Sequence, residues 1–377
     1  MLREITDLIN SKQDLSRLHL LWLLSQTGES ELREIYALAN EINRFQNGDR
    51  VSFVHNMNIN YTNLCEEVCT FCAFKKRKDS SDAYILSSDQ ILEEIKSIPL
   101  SEITFQGGLT QEVGFQQVLD LVRAVKTHRP EIHMHAFSPE EIRYYAEREG
   151  LTFSHVIDEM KKAGSDSMCG TAAEVLDDEI RRQICPQKVT SQEWIDIVGM
   201  GHQKGMRSTA TILFGHIETA EHIANHFERI RELQRRTGGI TEFIPLLFIP
   251  DNTALGKKIK RGQSPYGAWA GEGTLTADRK QLAFRMLAIS RIYFHNIIRN
   301  VQTSWVKLGF DAALESLSVG ANDMSGTLYS ETITREAGGT NGEYVSLEQF
   351  HEGICAIGKE PVERDTLYSY QLEPALS

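Results

Sequence analysis

Alternation is the feature that most limits how this chain can fold. Short β-like runs fall at residues 57–63, 102–106, 133–137, 166–168, 208–214, 242–248 and 300–305, with a weaker one ending near Gly320. Amphipathic stretches separate them, at 88–97, 115–127, 139–148, 191–204 and 221–236. Ser138-Pro139 opens one such helix, and Ser191 and Glu193 open another, with polar groups set near the free backbone N–H donors. The repeat of roughly 30 to 45 residues is the length of a βα unit and predicts a parallel sheet with helices outside it. About eight units predict an α/β fold, a (β/α)₈ TIM-type barrel or a partial barrel close to it, with an open doubly wound sheet as the alternative. Glycine and polar residues gather where the strands end: Gly107-Gly108, Ser138, Gly170-Thr171, Gly215-His216, Asp251-Asn252 and Asn322-Asp323. In a barrel these ends share one face, the face on which active sites are built.

Residues 1–48 precede the first strand and are expected to form a helical extension, leaving 49–377 for the barrel and C-terminal helical elements. With 377 residues, 41% of them hydrophobic, a large core can be buried. Residues 256–273, rich in glycine and lysine, read as an inserted loop or lid. A formal net charge of −12 with scattered Lys and Arg argues against nucleic acid as a partner. The basic run Lys75 to Lys78 reads as a solvated loop. No run reaches the roughly 18 apolar residues of a membrane span. The apolar stretch 18–24 is flanked by charges unlike those of a signal or transit peptide, so a cytoplasmic location is expected.

In a reducing compartment, cysteines point to metal binding or catalysis before disulfides. Six are present, and three of them, Cys65, Cys69 and Cys72, fall within eight residues at the end of the first strand. Thiolates spaced x₃ and x₂ can each take one iron of a cubane cluster, and three ligands leave the fourth iron open. An open iron can accept the amino and carboxylate groups of S-adenosylmethionine (SAM) and reduce its sulfonium. A structural zinc site would need a fourth ligand, which no second cysteine pair supplies nearby. A zinc-dependent barrel hydrolase and a non-catalytic iron–sulfur carrier are the competing classes; a carrier has no use for so many polar strand ends.

The motif Cys65-x₃-Cys69-x₂-Cys72, with Phe71 before its last cysteine, resembles the signature of the radical SAM family. That resemblance implies a barrel of the radical SAM kind with two cofactors, a [4Fe-4S] cluster on the three cysteines and SAM. It implies SAM contacts from Phe71, from the pair Gly107 and Gly108, from Glu174 in GTAAE, and from Leu213, Gly215 and Glu218 in TILFGHIET. Tyr84, just past the cysteine loop, is a further candidate. From about Gly48 to Tyr368, strings such as INYTNLCEEVCTFCAF, GTAAEVLDDE, SWVKLG and GANDMSGTL resemble the branch that holds the second component of FO synthase, aminofutalosine synthase and dehypoxanthine futalosine cyclase. The first of these is the nearest likeness. It implies cleavage of L-tyrosine and transfer of its 4-hydroxybenzyl group to 5-amino-6-(D-ribitylamino)uracil in deazaflavin biosynthesis. A reductant such as flavodoxin or ferredoxin, and a partner radical SAM enzyme that closes the ring, would follow. Two departures stand out: Cys169 stands where that family usually has proline, and PLLFIPDNTAL and ERDTLY are nearer to aminofutalosine synthase, the sibling that adds the 5′-deoxyadenosyl radical to 3-[(1-carboxyvinyl)oxy]benzoate. That sibling, however, usually has a glycine-richer string where this chain has GTAAE.

His216, Asn322 and Asp323 are the catalytic or substrate-binding candidates, each at a strand end. Their bland readings are a satisfied histidine and two loop caps. Gln302, Ser304 and Lys307 could hold a polar ring or ribityl chain, but strand alternation would turn some of them away. Trp305 reads as core, and Cys169 as a buried inert thiol.

Overall fold

The structure is a computed structural model and describes residues 1–261 and 279–371. Three helices come first, α1 (Leu2–Asn10), α2 (Arg17–Ser25) and α3 (Glu29–Asn47). Strands β1 (Arg50–Val54) and β2 (Asn56–Asn60) follow, then α4 (Ser88–Ile95), β3 (Glu102–Gln106), α5 (Phe115–His128), β4 (His133–Ala136), α6 (Pro139–Glu149) and α7 (Phe153–Ala163). Next come β5 (Ser167–Met168), α8 (Asp178–Ile184), α9 (Ser191–Gln203), β6 (Arg207–Phe214), α10 (Ala220–Thr237), β7 (Ile240–Leu247), α11 (Ala254–Lys260) and α12 (Arg279–Tyr293). The chain continues through β8 (Asn300–Val301), α13 (Trp305–Leu308), α14 (Phe310–Ser316), β9 (Asp323–Gly326), α15 (Thr332–Glu336), α16 (Leu347–Ala356) and β10 (Glu360–Arg364).

Strands β2 to β8 form a parallel seven-stranded sheet in chain order, and β10, β1 and β9 a smaller parallel sheet. Backbone hydrogen bonds join the two. On one side Thr303 donates to Asp323 and Asn322 to Val301; on the other Asn58 of β2 donates to Leu328. The segment at β9 therefore stands where an eighth stave belongs, which accounts for the expected barrel. Side-chain caps set the helix starts. At α6, Ser138 and Glu141 satisfy one another's backbone N–H and Pro139 occupies the first turn; Thr190 and Glu193 do the same at α9. Gly150, Gly164 and Gly238 end α6, α7 and α10 in the left-handed conformation.

Three expectations need correction. The weak last strand lies beyond Gly320, because 310–316 is helical. The strand expected at 300–305 stops at Val301, and Trp305 opens α13. The lid expected at 256–273 begins inside α11, and its remainder from 262 lies outside the described residues. Strands β1 and β10 were not anticipated. The N-terminal helices lie against the barrel: Ile5, Leu20, Leu23, Ile35 and Ala39 join the same apolar cluster as Phe227 of α10 and Ile289 of α12. Arg17 pairs with Glu221 and Glu228 of α10.

Candidate active site

Strand alternation builds a cavity of about 400 Å³ inside the barrel. Every second residue faces it: Asn56, Asn58 and Asn60 from β2, Glu102, Thr104 and Gln106 from β3, Thr209 and Thr211 from β6, and Glu242, Ile244 and Leu246 from β7. Strand ends are fixed by side chains. Gln106 donates to the Thr171 hydroxyl at 2.9 Å, Thr209 accepts the Gly170 N–H at 2.8 Å, and Thr211 donates to the Gly170 carbonyl at 2.9 Å. Ala172, Glu174, Ser325 and Leu328 all line the cavity with positive φ, so strained backbone is concentrated around it.

All three clustered cysteines face the same cavity, with Phe71, Gly107, Gly108, Glu174 and Lys188. The cysteine loop has little regular structure but is tied down at several points. Glu66 donates to the Leu109 carbonyl, Thr70 to Ile184, and Leu255 to Thr70, each at 2.8 Å. A Cβ on Gly108 would stand 2.1 Å from the Leu64 carbonyl and 3.0 Å from Cys65 Cβ; on Gly107 it would strike the Tyr61 ring at 2.3 Å. These two glycines let the end of β3 close directly onto the cysteine loop. Burial pushes the thiols of Cys65 and Cys69 up, and Lys188 opposes this at Cys69. Among the described residues no three His, Cys, Asp or Glu groups already converge as a metal site. The donor set nevertheless fits a cluster held from one side: three thiols on one short loop, opening on one cavity.

Behind the loop, Lys188 donates to Glu174 at 3.0 Å and lies 5.6 Å from the Phe71 ring centre. Burial works against its ammonium, but Glu174, Cys69, Glu140 and Cys185 outweigh this and hold its pKa above the ordinary lysine value. The 171–174 turn is braced by Arg181, which is buried and donates to the carbonyls of Ala172, Ala173 and Val189. Beside Gly107, the Glu141 carboxylate accepts from the Ser138 N–H and hydroxyl and from the Tyr61 hydroxyl. Burial outweighs those bonds and raises its pKa to about 7.

At the other end, Arg364 at the end of β10 and the segment after it close the barrel. Arg364 bonds Asp323 at 2.5 Å and Glu242 at 3.4 Å; Tyr368 donates to Glu242 at 2.6 Å and Asp323 at 3.0 Å; Thr366 donates to Glu102 at 2.7 Å. Burial raises Glu242 to about 7 against the pull of Arg364. Among the described residues no helix is long and apolar enough to cross a membrane.

Residues 59–230 match the family described as the Radical SAM superfamily, and 237–376 match the CofH/MqnC C-terminal region. A 5-amino-6-(D-ribitylamino)uracil–L-tyrosine 4-hydroxyphenyl transferase of Methanococcus maripaludis is 39% identical over 371 residues, 96% of this chain and 99% of that protein. The transferase of that name in Archaeoglobus fulgidus is 42% identical over 339 residues, 89% of this chain and 93% of that one. The chain belongs to this transferase family of radical SAM enzymes. Radical SAM enzymes use a [4Fe-4S] cluster and SAM and need a reductant, so these requirements hold here. The fold is shared with methylornithine synthase (PylB), at 16% identity and a TM-score of 0.73 over 97% of this chain and 99% of that one. It is shared too with HydG, a maturase of the [FeFe]-hydrogenase, at 14% identity and a TM-score of 0.71 over 95% of this chain and 75% of that one.

In this radical SAM enzyme the residues anticipated from sequence fall into two groups. Cys65, Cys69, Cys72, Phe71, Gly107, Gly108 and Glu174 come together on the cavity wall. The others do not line it. His216 is fully buried within its own turn, its ring bonded to the Leu213 carbonyl at 3.0 Å and the Ile217 N–H at 2.7 Å. Glu218 accepts the N–H groups of Gly215 and His216, so it braces the turn after β6. Leu213 donates its N–H to the Glu174 carbonyl. Asn322 accepts from Arg291 and Val301, and Asp323 lies under Arg364; neither faces the cavity, a correction to the reading of both as mouth residues. Tyr84 is tied through its backbone to Thr62 and Asn63, away from the wall. Conversely Gln302, Ser304 and Lys307 all line the cavity, because the strand ends at Val301 and alternation no longer applies. Trp305 is buried and donates to the Gly326 carbonyl, and Cys169 is buried on the wall, donating to the His135 carbonyl. Lys188, Glu141, Arg181 and Arg364 were missed; each draws its meaning from partners far away or hidden in the fold, and the ERDTLY string was the one signal for Arg364.

Proposed function

We propose that the chain transfers the 4-hydroxybenzyl group of L-tyrosine to C5 of 5-amino-6-(D-ribitylamino)uracil, releasing 2-iminoacetate, at this cavity. One observation carries the reading: identity near 40% to transferases of that name over almost the whole chain, with a three-cysteine loop opening on a furnished barrel interior. Cys65, Cys69 and Cys72 would hold the [4Fe-4S] cluster, and Phe71, Gly107, Gly108 and Glu174 would hold SAM. When bound, these cofactors supply a 5′-deoxyadenosyl radical able to take a hydrogen atom from tyrosine.

The protein's part is to place and shield the reactants. The glycine pair allows backbone within reach of a ligand. Arg181 keeps the Glu174 turn fixed, and the Arg364 network keeps water from the closed end. Asn58, Asn60, Thr104, Gln302 and Ser304 offer neutral donors and acceptors, suited to a uracil ring and a polyol. An electron-carrying protein such as a flavodoxin or ferredoxin, a partner enzyme for ring closure and a cytoplasmic setting complete the proposal.

The test is anaerobic turnover of reconstituted enzyme with dithionite, SAM, L-tyrosine and the ribitylaminouracil, read by mass spectrometry. The expected result is a hydroxybenzyl–uracil adduct that forms with 5′-deoxyadenosine and needs both substrates. SAM cleavage without adduct, or an adenosylated product from 3-[(1-carboxyvinyl)oxy]benzoate, would overturn the substrate assignment.

A further inference from the structure

Four cationic side chains line the cavity, Lys75, Lys188, Lys307 and Arg364. Three are already engaged: Lys75 donates to the Glu67 carbonyl at 2.7 Å, Lys188 to Glu174, and Arg364 to Asp323 and Glu242. Lys307 differs. Among the described residues its ammonium has neither a hydrogen-bond acceptor nor an ion-pair partner, although burial pushes its pKa down. It sits in α13, just past the end of β8, so in this parallel sheet it shares the strand-end side of the cavity with the cysteine loop that leaves β2. Glu331 also lines the cavity and is largely buried. Its carboxylate accepts the Thr334 N–H and makes no ion pair with Lys307.

A half-buried cation kept apart from a buried anion on the same cavity wall is unfavourable until something neutralises both. A zwitterion is the ligand that does so. We propose that Lys307 and Glu331 clamp the α-amino acid end of L-tyrosine, Lys307 taking the carboxylate and Glu331 the ammonium. The inference rests on the transferase reading given above. Of the other ligands, the ribitylaminouracil carries neither a carboxylate nor an ammonium near neutral pH. SAM is expected to spend its own amino and carboxylate groups on the open iron. The clamp lies beside the cysteine loop, so it would present the amino acid where hydrogen is removed.

The test uses reconstituted holoenzyme with SAM and competition equilibrium dialysis against labelled L-tyrosine. Competitors are tyramine, which lacks the carboxylate, and 3-(4-hydroxyphenyl)propionate, which lacks the amine. Wild type should prefer tyrosine over either by roughly 10- to 100-fold, the span of a charge-assisted bond. Lys307→Met should lose that preference over tyramine only, and Glu331→Gln, which keeps an acceptor for the Thr334 N–H, that over the propionate only. Lys307→Arg should restore part of the preference for the carboxylate. Unaltered discrimination in Lys307→Met, or weaker SAM binding with tyrosine affinity intact, would overturn the clamp. Adduct formation by wild type separates the two ideas: if it occurs while Lys307→Met still discriminates, the clamp alone falls.

Discussion

A buried carboxyl beside the cavity makes part of this protein's stability depend on pH. Glu141 titrates at about 7 instead of 4.5 because burial opposes the anion. The folded chain thus binds that proton more tightly than the unfolded chain. Its contribution is full below the ordinary carboxylate range and is lost as pH rises through about 7, by roughly 3 kcal/mol. Glu141→Gln should flatten the fall in thermal midpoint between about pH 5 and 7, as followed by circular dichroism; an unchanged slope would assign the effect to Glu242. The cysteines allow a sharper test. Cys69→Ser should abolish most bound iron and acid-labile sulfide after reconstitution while leaving the far-ultraviolet spectrum intact. These three residues were legible because they are neighbours in sequence. Arg181 was not, since it acts on carbonyls of a turn that exists only once Glu174 and Leu213 have met. Arg181→Lys keeps the charge but loses the fork, and should weaken SAM binding several-fold in dialysis with little change in fold.

Among the elements, the short strand β10 reaches well beyond its own pairing. Among the described residues it pairs only with β1, yet it delivers Arg364 between Asp323 and Glu242. Arg364→Met would leave those carboxylates buried without a cation, a loss of roughly 3–5 kcal/mol, measurable by urea denaturation. An equal midpoint for wild type and variant would show that the carboxylates take up protons instead. Strands with long apolar or β-branched runs, such as β6 and β7, were readable from pattern alone. β1 and β10 were not: Arg50, Ser52, Glu360 and Glu363 interrupt them, and their pairing spans nearly the whole chain. At β8 the pattern misled in the opposite direction. Residues 300–305 look extended, but Trp305 is buried by starting a helix, and that bend turns Ser304 and Lys307 inward.

Across the whole molecule, the N-terminal helices belong to the barrel's core. Leu20, Ile35 and Ala39 are shielded by α10 and α12, and the Asn43 side chain donates to the Ala321 carbonyl just before β9. Removing residues 1–48 should therefore expose apolar surface on both sides of the cut, and the shortened chain should aggregate on expression; a soluble, cooperatively melting product would contradict this. The alternation of strands and helices announced the barrel, and polar strand ends announced its working face. What alternation could not convey is that the opposite end is stoppered by a segment from the far end of the sequence. With Arg364, Thr366 and Tyr368 in place, the interior is a well and not a corridor. Whatever lies deepest must have entered first and must wait for the ligands above it to leave, so the order of arrival becomes a property of the architecture, with the cysteine loop at its rim.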